Sequence, residues 1–436
     1  MAQTRSQFHH YIPRFILKTF ADNFTLTKSD TDFIADTSSV FKATDPNVRL
    51  GRNKQKGKRG KRGHQRAPNL PSEPSNPPKS SKPFKPSRYF SYNINVYRVE
   101  DHSSELNDTS RVYGLEDMYR DINEDDCMKL EKLLSKLESF SSQFIRKIWS
   151  GEDLSLTRAQ LADMKKFLCI MMYRGEARRS QYYDGTFDMT AKMTLVKHMK
   201  NKKFKRLQDV WFDNLKWIIE TPADDILDEW ARAMNMVLED PISSLTKYMG
   251  PIHVLELLDY GHRVQCYVCV WEAEEGSEFI ICEGSFGAYE GTSANSFHIF
   301  FIVSPRYAIV LANRLFMWDE IDAVPGKTWF GDHLRAIPET IYKKGPLPGG
   351  FLTEDHMSPD DVFKYRRIIA PRKDVYMVNG ISLDARRKYL TYKSSACLYK
   401  SLQYYDKVKK GMFPNQHDYT ILKRKLFADM NRTHAS

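Results

Sequence analysis

Residues 278–311 read EFIICEGSFGAYEGTSANSFHIFFIVSPRYAIVL, and this stretch decides the fold. It contains three short apolar runs of the kind that form buried strands, at Phe279–Cys282, Ile299–Val303 and Tyr307–Leu311. A glycine-rich turn with two glutamates separates the first two runs, and a Ser-Pro pair separates the last two. The stretch therefore predicts a packed sheet at the centre of the fold.

The residues before this stretch predict one more strand. The sequence RVQCYVCVWEA (263–273) has the two-residue period of a strand, and Glu275–Ser277 is a turn that would join it to Phe279–Cys282 as a β-hairpin. Cys266 and Cys269 have C-x-x-C spacing, but no second pair completes a zinc site. We therefore predict no metal at these cysteines.

The region N-terminal to the sheet is predicted to be helical. Apolar residues recur every three or four positions between Leu130 and Ile148, which indicates an amphipathic helix. Thr157 and Gln160 have the spacing of a capping box that opens the next helix. Three further helices are predicted at about 187–199, at 207–220 and from Thr221 onward.

These elements predict an α+β protein. Its helical region packs against a small, mostly antiparallel sheet built by residues 92–99 and 264–311. The predicted parts are the N-terminal motif (1–48), a disordered basic insertion rich in Pro and Gly (49–88), a strand with the helical region (89–260), a sheet-containing α+β region (261–414) and a peripheral tail (415–436).

The basic character of the chain belongs to the insertion. Residues 49–88 contain 13 Lys and Arg and one acidic residue, a net charge of +12, which leaves −1 of the total +11 for everything else. With seven prolines, four glycines and almost no aliphatic residues in 51–88, this segment cannot bury enough surface to fold. Its basic half, 52–66, predicts nuclear import or contact with nucleic acid, or else a solvated insertion without a partner. The residues in question are Lys54, Lys56, Lys58, Arg59, Lys61 and Arg62.

Several functional classes lack their signatures in this sequence. It contains no Walker motif, dinucleotide fingerprint, HExxH or nucleophile elbow. No run approaches the roughly 18 apolar residues needed to span a bilayer, so we expect no membrane partner. The six cysteines are scattered in apolar stretches, which predicts buried thiols in an intracellular protein, cytoplasmic or nuclear. The sequence identifies no cofactor.

The first candidate residues are His9, His10 and Arg174. Imidazole titrates near neutral pH and binds metals, so the histidine pair predicts a general base or a metal ligand. The alternative is that the histidines form hydrogen bonds that order the N-terminal segment. Arg174 belongs to the sequence YRGEARR (173–179), whose arginines could bind a phosphate or carboxylate or could form a solvated helix end. Arg174 is the arginine closest to the apolar face of its helix.

The second candidate is the turn from Glu283 to Gly291. Its three glycines allow unusual backbone angles and the close approach of a ligand, and Glu283 and Glu290 could supply a carboxylate pair. The alternative is a tight loop with solvated carboxylates that connects two strands. His298 opens an apolar strand and is predicted to be a core histidine.

Four phrases resemble those of the domain of unknown function 4238 family. They are HHYIPRFILKTFAD (9–22), INVYRV (94–99), GLEDMYRD (114–121) and FGAYEG (286–291). The resemblance covers most of the chain apart from the basic insertion and the tail, and the layout is most similar to fungal members. It points to His9, His10, Tyr11, Pro13, Arg174, Phe286, Gly287, Glu290, Gly291, Ser304, Pro305 and Asn379.

The chain departs from the pattern of this family at one place. Where members tend to show Thr/Ser-Asp-Asn, this sequence has Cys282-Glu283-Gly284. If that aspartate acts in catalysis, the departure bears on activity, because glutamate places the carboxylate about one methylene farther out.

Two functions are therefore expected from the sequence. The first is a hydrolase or metal-dependent nuclease in which His9 and His10 fold back onto the Glu283–Glu290 turn. The candidate site is then His9, His10, Tyr11, Arg174, Glu283, Glu290 and Asn379. The second is a non-catalytic interaction protein whose basic insertion gives nuclear targeting or nucleic-acid contact.

Overall fold

The computed structural model describes residues 6–25, 92–239, 245–290, 298–313, 328–330, 334, 338–344 and 357–435. All of them belong to one compact unit, made of 1–31 and 92–436. The basic insertion and the glycine at the end of the Glu283–Gly291 turn lie outside the described residues, so the disorder of residues 49–88 stays a prediction.

The strands and helices are numbered in chain order. The strands are β1 Phe8–His10, β2 Asn93–Arg98, β3 Ser104–Asp108, β4 Gly114–Glu116, β5 Leu154–Thr157, β6 Tyr267–Ala273, β7 Ile281–Cys282, β8 Phe286–Glu290, β9 His298–Ile302, β10 Tyr307–Ala312, β11 Glu339–Ile341, β12 Val362–Tyr365, β13 Arg367–Ala370 and β14 Tyr389–Tyr392. The helices are α1 Arg14–Lys18, α2 Lys129–Trp149, α3 Arg158–Tyr173, α4 Glu176–Asp184, α5 Met189–Lys202, α6 Leu207–Glu220, α7 Ala223–Glu239, α8 Val254–Gln265, α9 Arg372–Asp384, α10 Ser395–Met412 and α11 Thr420–Ala435. The predicted α+β class is confirmed.

The central sheet has the strand order β13-β6-β10-β9-β8. Its pairs are antiparallel except for β13 with β6, and Val310 of β10 lies opposite Cys269 on one side and Phe300 on the other. Every residue of β6, β9 and β10 is buried, as expected for strands covered on both faces. The apolar runs at 299–303 and 307–311 therefore form the middle of this sheet, as predicted.

The strand at 93–98 belongs to a second sheet, with the order β3-β2-β14-β7. The prediction of one sheet from 92–99 and 264–311 is therefore wrong, and so is the predicted hairpin. β6 pairs with β10 and β13, whereas β7 pairs with β14. Between them the chain leaves the sheet, and Phe279 donates its N–H to Pro305 instead. The predicted strands at 267–273 and 281–282 are present, but each pairs with a segment more distant in sequence.

The predicted helices 130–148 and 207–220 are present as α2 and α6. α3 begins with the predicted capping box, in which Thr157 and Gln160 satisfy each other's backbone N–H groups. The structure of residues 173–179 differs from the prediction, because α3 ends at Tyr173, Arg174 caps it, and a separate helix, α4, starts at Glu176. The turn between the two helices carries Arg174 inward instead of into solvent.

The C-terminal segment is not a peripheral tail. Residues 420–435 form α11, and Tyr419, Leu422 and Leu426 are buried against the rest of the chain. Burial of three large apolar side chains stabilises this helix on the fold, since each contributes on the order of 1.5–3 kcal/mol.

The structure bears on two expectations from the sequence, those about membrane-spanning helices and about the cysteines. In the part of the chain that is described, no helix is both long and apolar enough to cross a bilayer. All six cysteines are free thiols, and all but Cys127 are buried. Cys266 ends α8 and Cys269 lies within β6, so the two belong to different elements.

Candidate functional site

The histidine motif lies on β1, which pairs with β4. His9 lies opposite Leu115, and the next N–H, that of Tyr11, donates to the carbonyl oxygen of Tyr113 at 2.9 Å. Gly114 makes this pairing possible, because a Cβ there would lie 2.5 Å from the backbone oxygen of His9. The pairing fixes both histidines to the body of the protein.

His9 is buried with one nitrogen unused. Its Nδ1 accepts the backbone N–H of Tyr119 at 3.0 Å, and its ring stacks on the Tyr119 ring with the centroids 5.5 Å apart. Because Nδ1 is an acceptor, the neutral ring carries its proton on Nε2. That Nε2 is buried and has no partner among the described residues. Burial lowers the pKa of His9, which keeps the ring neutral.

His10 is oriented as a base. Its Nε2 contacts the carbonyl oxygen of Thr109 at 3.0 Å and must donate, since a carbonyl only accepts. The lone pair of the neutral ring is therefore on Nδ1. Burial lowers the pKa of His10 to about 4, and the positive charges of Arg14 and Arg174 lower it further against the Thr109 bond. At neutral pH the ring is a free base with a fixed tautomer.

Arg174 is almost completely buried, with 1% of its surface exposed. Its Nε donates to the carbonyl oxygen of Tyr11 at 3.1 Å, and its Nη1 pairs with Glu138, which is partly exposed. Nη2 is buried and makes no hydrogen bond within the described chain. An unpaired donor on a buried cation lowers the stability of the fold, so we expect this nitrogen to bind an acceptor such as a ligand oxygen or a water.

Two carboxylates lie near the Tyr11 phenol. Burial raises the pKa of the Tyr11 phenol, and the charges of Glu283 and Glu176 raise it further. Glu176 binds the Lys388 ammonium through Oε1 at 2.6 Å, while its buried Oε2 has no partner in the described structure. The structure therefore brings one glutamate of the predicted turn, Glu283, near the histidine motif.

The Glu283 carboxylate is held by backbone groups. It accepts the N–H groups of Arg387 and Lys388 at 3.1 Å and of Tyr389 at 2.6 Å. Burial raises its pKa, and these hydrogen bonds oppose that shift. The arrangement fixes the start of β14 to the end of β7.

Glu290 belongs to a different group of residues. It binds His298 Nδ1 at 2.6 Å, the Thr328 hydroxyl at 2.9 Å and the backbone N–H of Trp329. Across the described residues no hydrogen bond or ion pair joins His10 to Glu290. β8 separates Glu290 from the Glu283 end by about 13 Å of extended chain. The two glutamates of the turn do not form a carboxylate pair with each other, and His298 is a buried core histidine, as predicted.

Asn379 connects three segments. Its Oδ1 accepts the N–H of Ile280 at 3.1 Å, and its Nδ2 donates to the Glu278 carbonyl at 2.8 Å and to the Ser401 hydroxyl at 2.9 Å. These three hydrogen bonds fix α9 to the segment before β7 and to α10.

Sequence reasoning missed the partners of the motif. Glu138 lies on the amphipathic α2 beside its apolar stripe, and Glu176 lies within the noted YRGEARR segment. Tyr119 is part of the GLEDMYRD sequence (114–121), which resembles the family but carries no chemical signal of its own. A polar residue at the edge of an apolar stripe is a weak signal, and nothing local identifies its partner.

Nothing in the described chain forms a group of three or more His, Cys, Asp or Glu side chains able to hold a metal ion. The chemistry that the cluster offers through its own groups is a neutral imidazole base, a buried guanidinium with a free donor and a second donor on His9.

Comparison with known proteins gives one match. A family model described as "Protein of unknown function (DUF4238)" matches residues 9–396, nearly the whole chain and all the described site residues. No curated protein and no solved structure matches. The resemblance to fungal members in particular stays a prediction. The chain belongs to the DUF4238 family, a family of unknown function.

Proposed function

We propose that the chain is a hydrolase of phosphate esters, with its site at the cluster of His9, His10, Tyr11 and Arg174. The observation that carries this proposal is the buried Arg174 guanidinium with an unpaired Nη2, near a half-buried histidine whose free nitrogen is a base. Guanidinium groups bind phosphate oxygens well, because their N–H groups match the spacing of an oxyanion.

The unpaired groups are donors, and this favours an anionic ligand. Arg174 Nη2 and His9 Nε2 both carry hydrogens without acceptors in the described chain. Both residues also contact Tyr119, since His9 stacks on its ring and the Tyr119 hydroxyl donates to the Arg174 carbonyl. A phosphate oxygen would supply the missing acceptor, and it would enter past the partly exposed His10 and Glu138.

The reaction would follow general base catalysis. His10 Nδ1 takes a proton from a water molecule, and the water oxygen forms a bond to phosphorus while the bond to the leaving oxygen breaks. The leaving oxygen then takes the proton back from the His10 imidazolium. Arg174 binds the oxygens on which negative charge increases, so its stabilisation is greatest in the transition state.

Substrate binding would itself make His10 a better base. The pKa of His10 is about 4 in the free protein, lowered by burial first and then by Arg14 and Arg174. A phosphate on Arg174 offsets these positive charges, so the pKa of His10 rises toward neutrality when substrate is bound. This narrows the mismatch between a low pKa and catalysis near pH 7, while burial, the largest cause of the low pKa, is unchanged.

The test is hydrolysis of three p-nitrophenyl compounds by the full chain: the phosphate diester, the phosphate monoester and the acetate. His10→Gln keeps a donor toward Thr109 but lacks the base, and it should lower the rate on a phosphate ester 10²–10⁴-fold. His262→Gln, on α8 and away from the cluster, serves as control and should retain the rate. Absence of phosphate ester hydrolysis, with or without divalent metal, or equal rates in His10→Gln would overturn the proposal.

A second function is favoured by the sequence of the insertion. The charge of +12 in residues 49–88 fits nuclear import or contact with nucleic acid through residues 52–66. Under this proposal the chain acts as a non-catalytic interaction protein, cytoplasmic or nuclear. Deletion of residues 52–88 should abolish nuclear accumulation or weaken salt-sensitive binding to nucleic acid. Unchanged behaviour in both assays would rule it out.

A further inference from the structure

A cavity of about 430 Å³ lies apart from the histidine cluster. Its walls come from the segment after α1, the end of α2, the turn after β6, the loop before β10 and the start of α10. This volume is in the range of sites that bind a small molecule.

One wall of the cavity is aromatic. Phe24 and Trp149 pack edge to face with their ring centroids 5.8 Å apart. The indole N–H of Trp149 donates to the Val303 carbonyl at 3.1 Å, so the polar edge of this ring is occupied. Phe15 also packs near this ring, with the centroids 6.1 Å apart, and the part of Trp149 that lines the cavity is an apolar surface held in place by the hydrogen bond.

Two opposite charges without a strong partner line the same cavity. The Glu278 carboxylate accepts one N–H, from Ser394 to Oε2 at 2.9 Å, and its Oε1 makes no hydrogen bond within the described residues. Burial raises the pKa of Glu278 and the negative charge of Asp22 adds to this, while the Ser394 N–H and the positive charge of Lys393 oppose it. For the Lys393 ammonium, the described chain places no carboxylate within 4.0 Å.

The other charged groups of the lining are engaged or exposed. Arg306 donates twice to the Glu272 carboxylate, which satisfies its charge. Glu275 is exposed at the turn. Among the residues that line the cavity, Glu278 and Lys393 are therefore the charges open to a ligand, and Asp22 adds negative charge near Glu278. Glu278 and Lys393 have opposite signs and are too far apart for a direct ion pair.

We propose that this cavity binds a small zwitterion with an aromatic body, of the class of the aromatic α-amino acids. The ligand ammonium pairs with Glu278, its carboxylate with Lys393, and its ring packs on Phe24 and Trp149. The site is independent of the proposed hydrolase, so either one can fail without the other.

Calorimetric titration with four related compounds tests each contact. L-tryptophan carries both charges, N-acetyl-L-tryptophan lacks the ammonium, L-tryptophanamide lacks the carboxylate, and indole lacks both. L-tryptophan should bind most tightly, and loss of either charge should weaken binding tenfold or more, since each charge-assisted hydrogen bond contributes to affinity. Failure of L-tryptophan to bind, or equal affinities for all four compounds, would overturn the proposal.

Variants assign the two charges. Glu278→Gln should weaken L-tryptophan tenfold or more and leave the already weaker N-acetyl-L-tryptophan unchanged. Lys393→Met should weaken the binding of L-tryptophan tenfold or more and leave the affinity for L-tryptophanamide, which lacks the carboxylate, unchanged. Lys400→Met removes an exposed lysine of the same helix region and should change no affinity. Equal losses for the charged and the neutralised compound in Glu278→Gln or Lys393→Met would contradict the assignment, because they would indicate a general structural effect.

Discussion

Arg174 and Tyr11 lie 163 residues apart in sequence, yet the Arg174 Nε donates to the Tyr11 carbonyl oxygen at 3.1 Å. This bond, with the ion pair to Glu138, joins the N-terminal motif to α2 and α3. The same guanidinium that holds the motif in place also carries the unpaired Nη2, so structural support and the proposed ligand binding share one residue.

Replacement of Arg174 should therefore lower stability as well as activity. Arg174→Met leaves the Tyr11 carbonyl and the Glu138 carboxylate without their partner, and we expect a loss of about 3 kcal/mol in the free energy of unfolding. Urea denaturation measures it. Arg179→Met, on the neighbouring helix, is the control and should cost less, because Arg179 is more exposed. Equal losses of unfolding free energy in the two variants would mean that the Arg174 contacts with Tyr11 and Glu138 contribute no more to stability than those of Arg179.

Gly287 allows β8 to pack against α3. Its φ is +87°, and a Cβ there would lie 2.6 Å from Cγ of Met172. Gly287→Ala should lower the free energy of unfolding by about 2 kcal/mol or more, through the left-handed backbone and the displaced methionine. Gly411 has a φ of +99° and open space around it, so Gly411→Ala carries the backbone strain alone. The same loss in both variants would show that the contact with Met172 contributes nothing.

Glu283 holds the turn before β14 through three backbone N–H groups. Glu283→Gln places an amide N–H₂ against these donors, and we expect a loss of about 3 kcal/mol in the free energy of unfolding. Glu274 accepts one backbone N–H from an exposed position, so Glu274→Gln should cost under about 1 kcal/mol. If Glu283→Gln changed the free energy of unfolding by less than about 1 kcal/mol, the three hydrogen bonds to this carboxylate would not stabilise the turn as we infer.

His198 and His253 make stability depend on pH. Their rings lie 5.8 Å apart, and the pKa values are lowered to about 4 for His198 and about 3 for His253, in both cases first by burial. The unfolded chain takes up a proton on each ring near pH 6.5, whereas the folded chain does so only near these lower values. Stability is therefore complete above pH 6.5 and is lost as the pH falls toward 4.

His198→Phe removes one of these two protonation steps. Between pH 7 and pH 5, the variant should lose about 2 kcal/mol less unfolding free energy than the wild-type chain. Urea denaturation at the two pH values measures the difference, with His102→Phe at an exposed position as control. An unchanged pH dependence in His198→Phe would show that this ring protonates equally easily in both states.

The sequence predicts the local parts of the fold well. The capping box at Thr157 and the bounds of α6 follow from patterns within a few residues, because helices form from local contacts. The partners of β6 and β7 do not follow, because the alternation that indicates a strand says nothing about which distant strand pairs with it. The predicted hairpin failed for this reason.

The candidate site shows the same limit. The histidine motif and Arg174 were singled out from the sequence, and the structure places them together through the Tyr11 carbonyl. The expectation that Glu283 and Glu290 act as a pair came from their closeness in sequence. Glu283 lies in the turn before β8 and Glu290 at the far end of that strand, so Glu283 lies near Tyr11 while Glu290 binds His298.

The pH dependence of phosphate diester hydrolysis tests the central claim most directly. If His10 is the base, kcat/KM should fall as the pH drops through about 4, and kcat should fall at a higher pH, because bound phosphate raises the pKa of His10. Both transitions should be absent in His10→Gln, with folding of both proteins verified at each pH. Transitions that persist unchanged in the His10→Gln variant would contradict the assignment of His10 as the base.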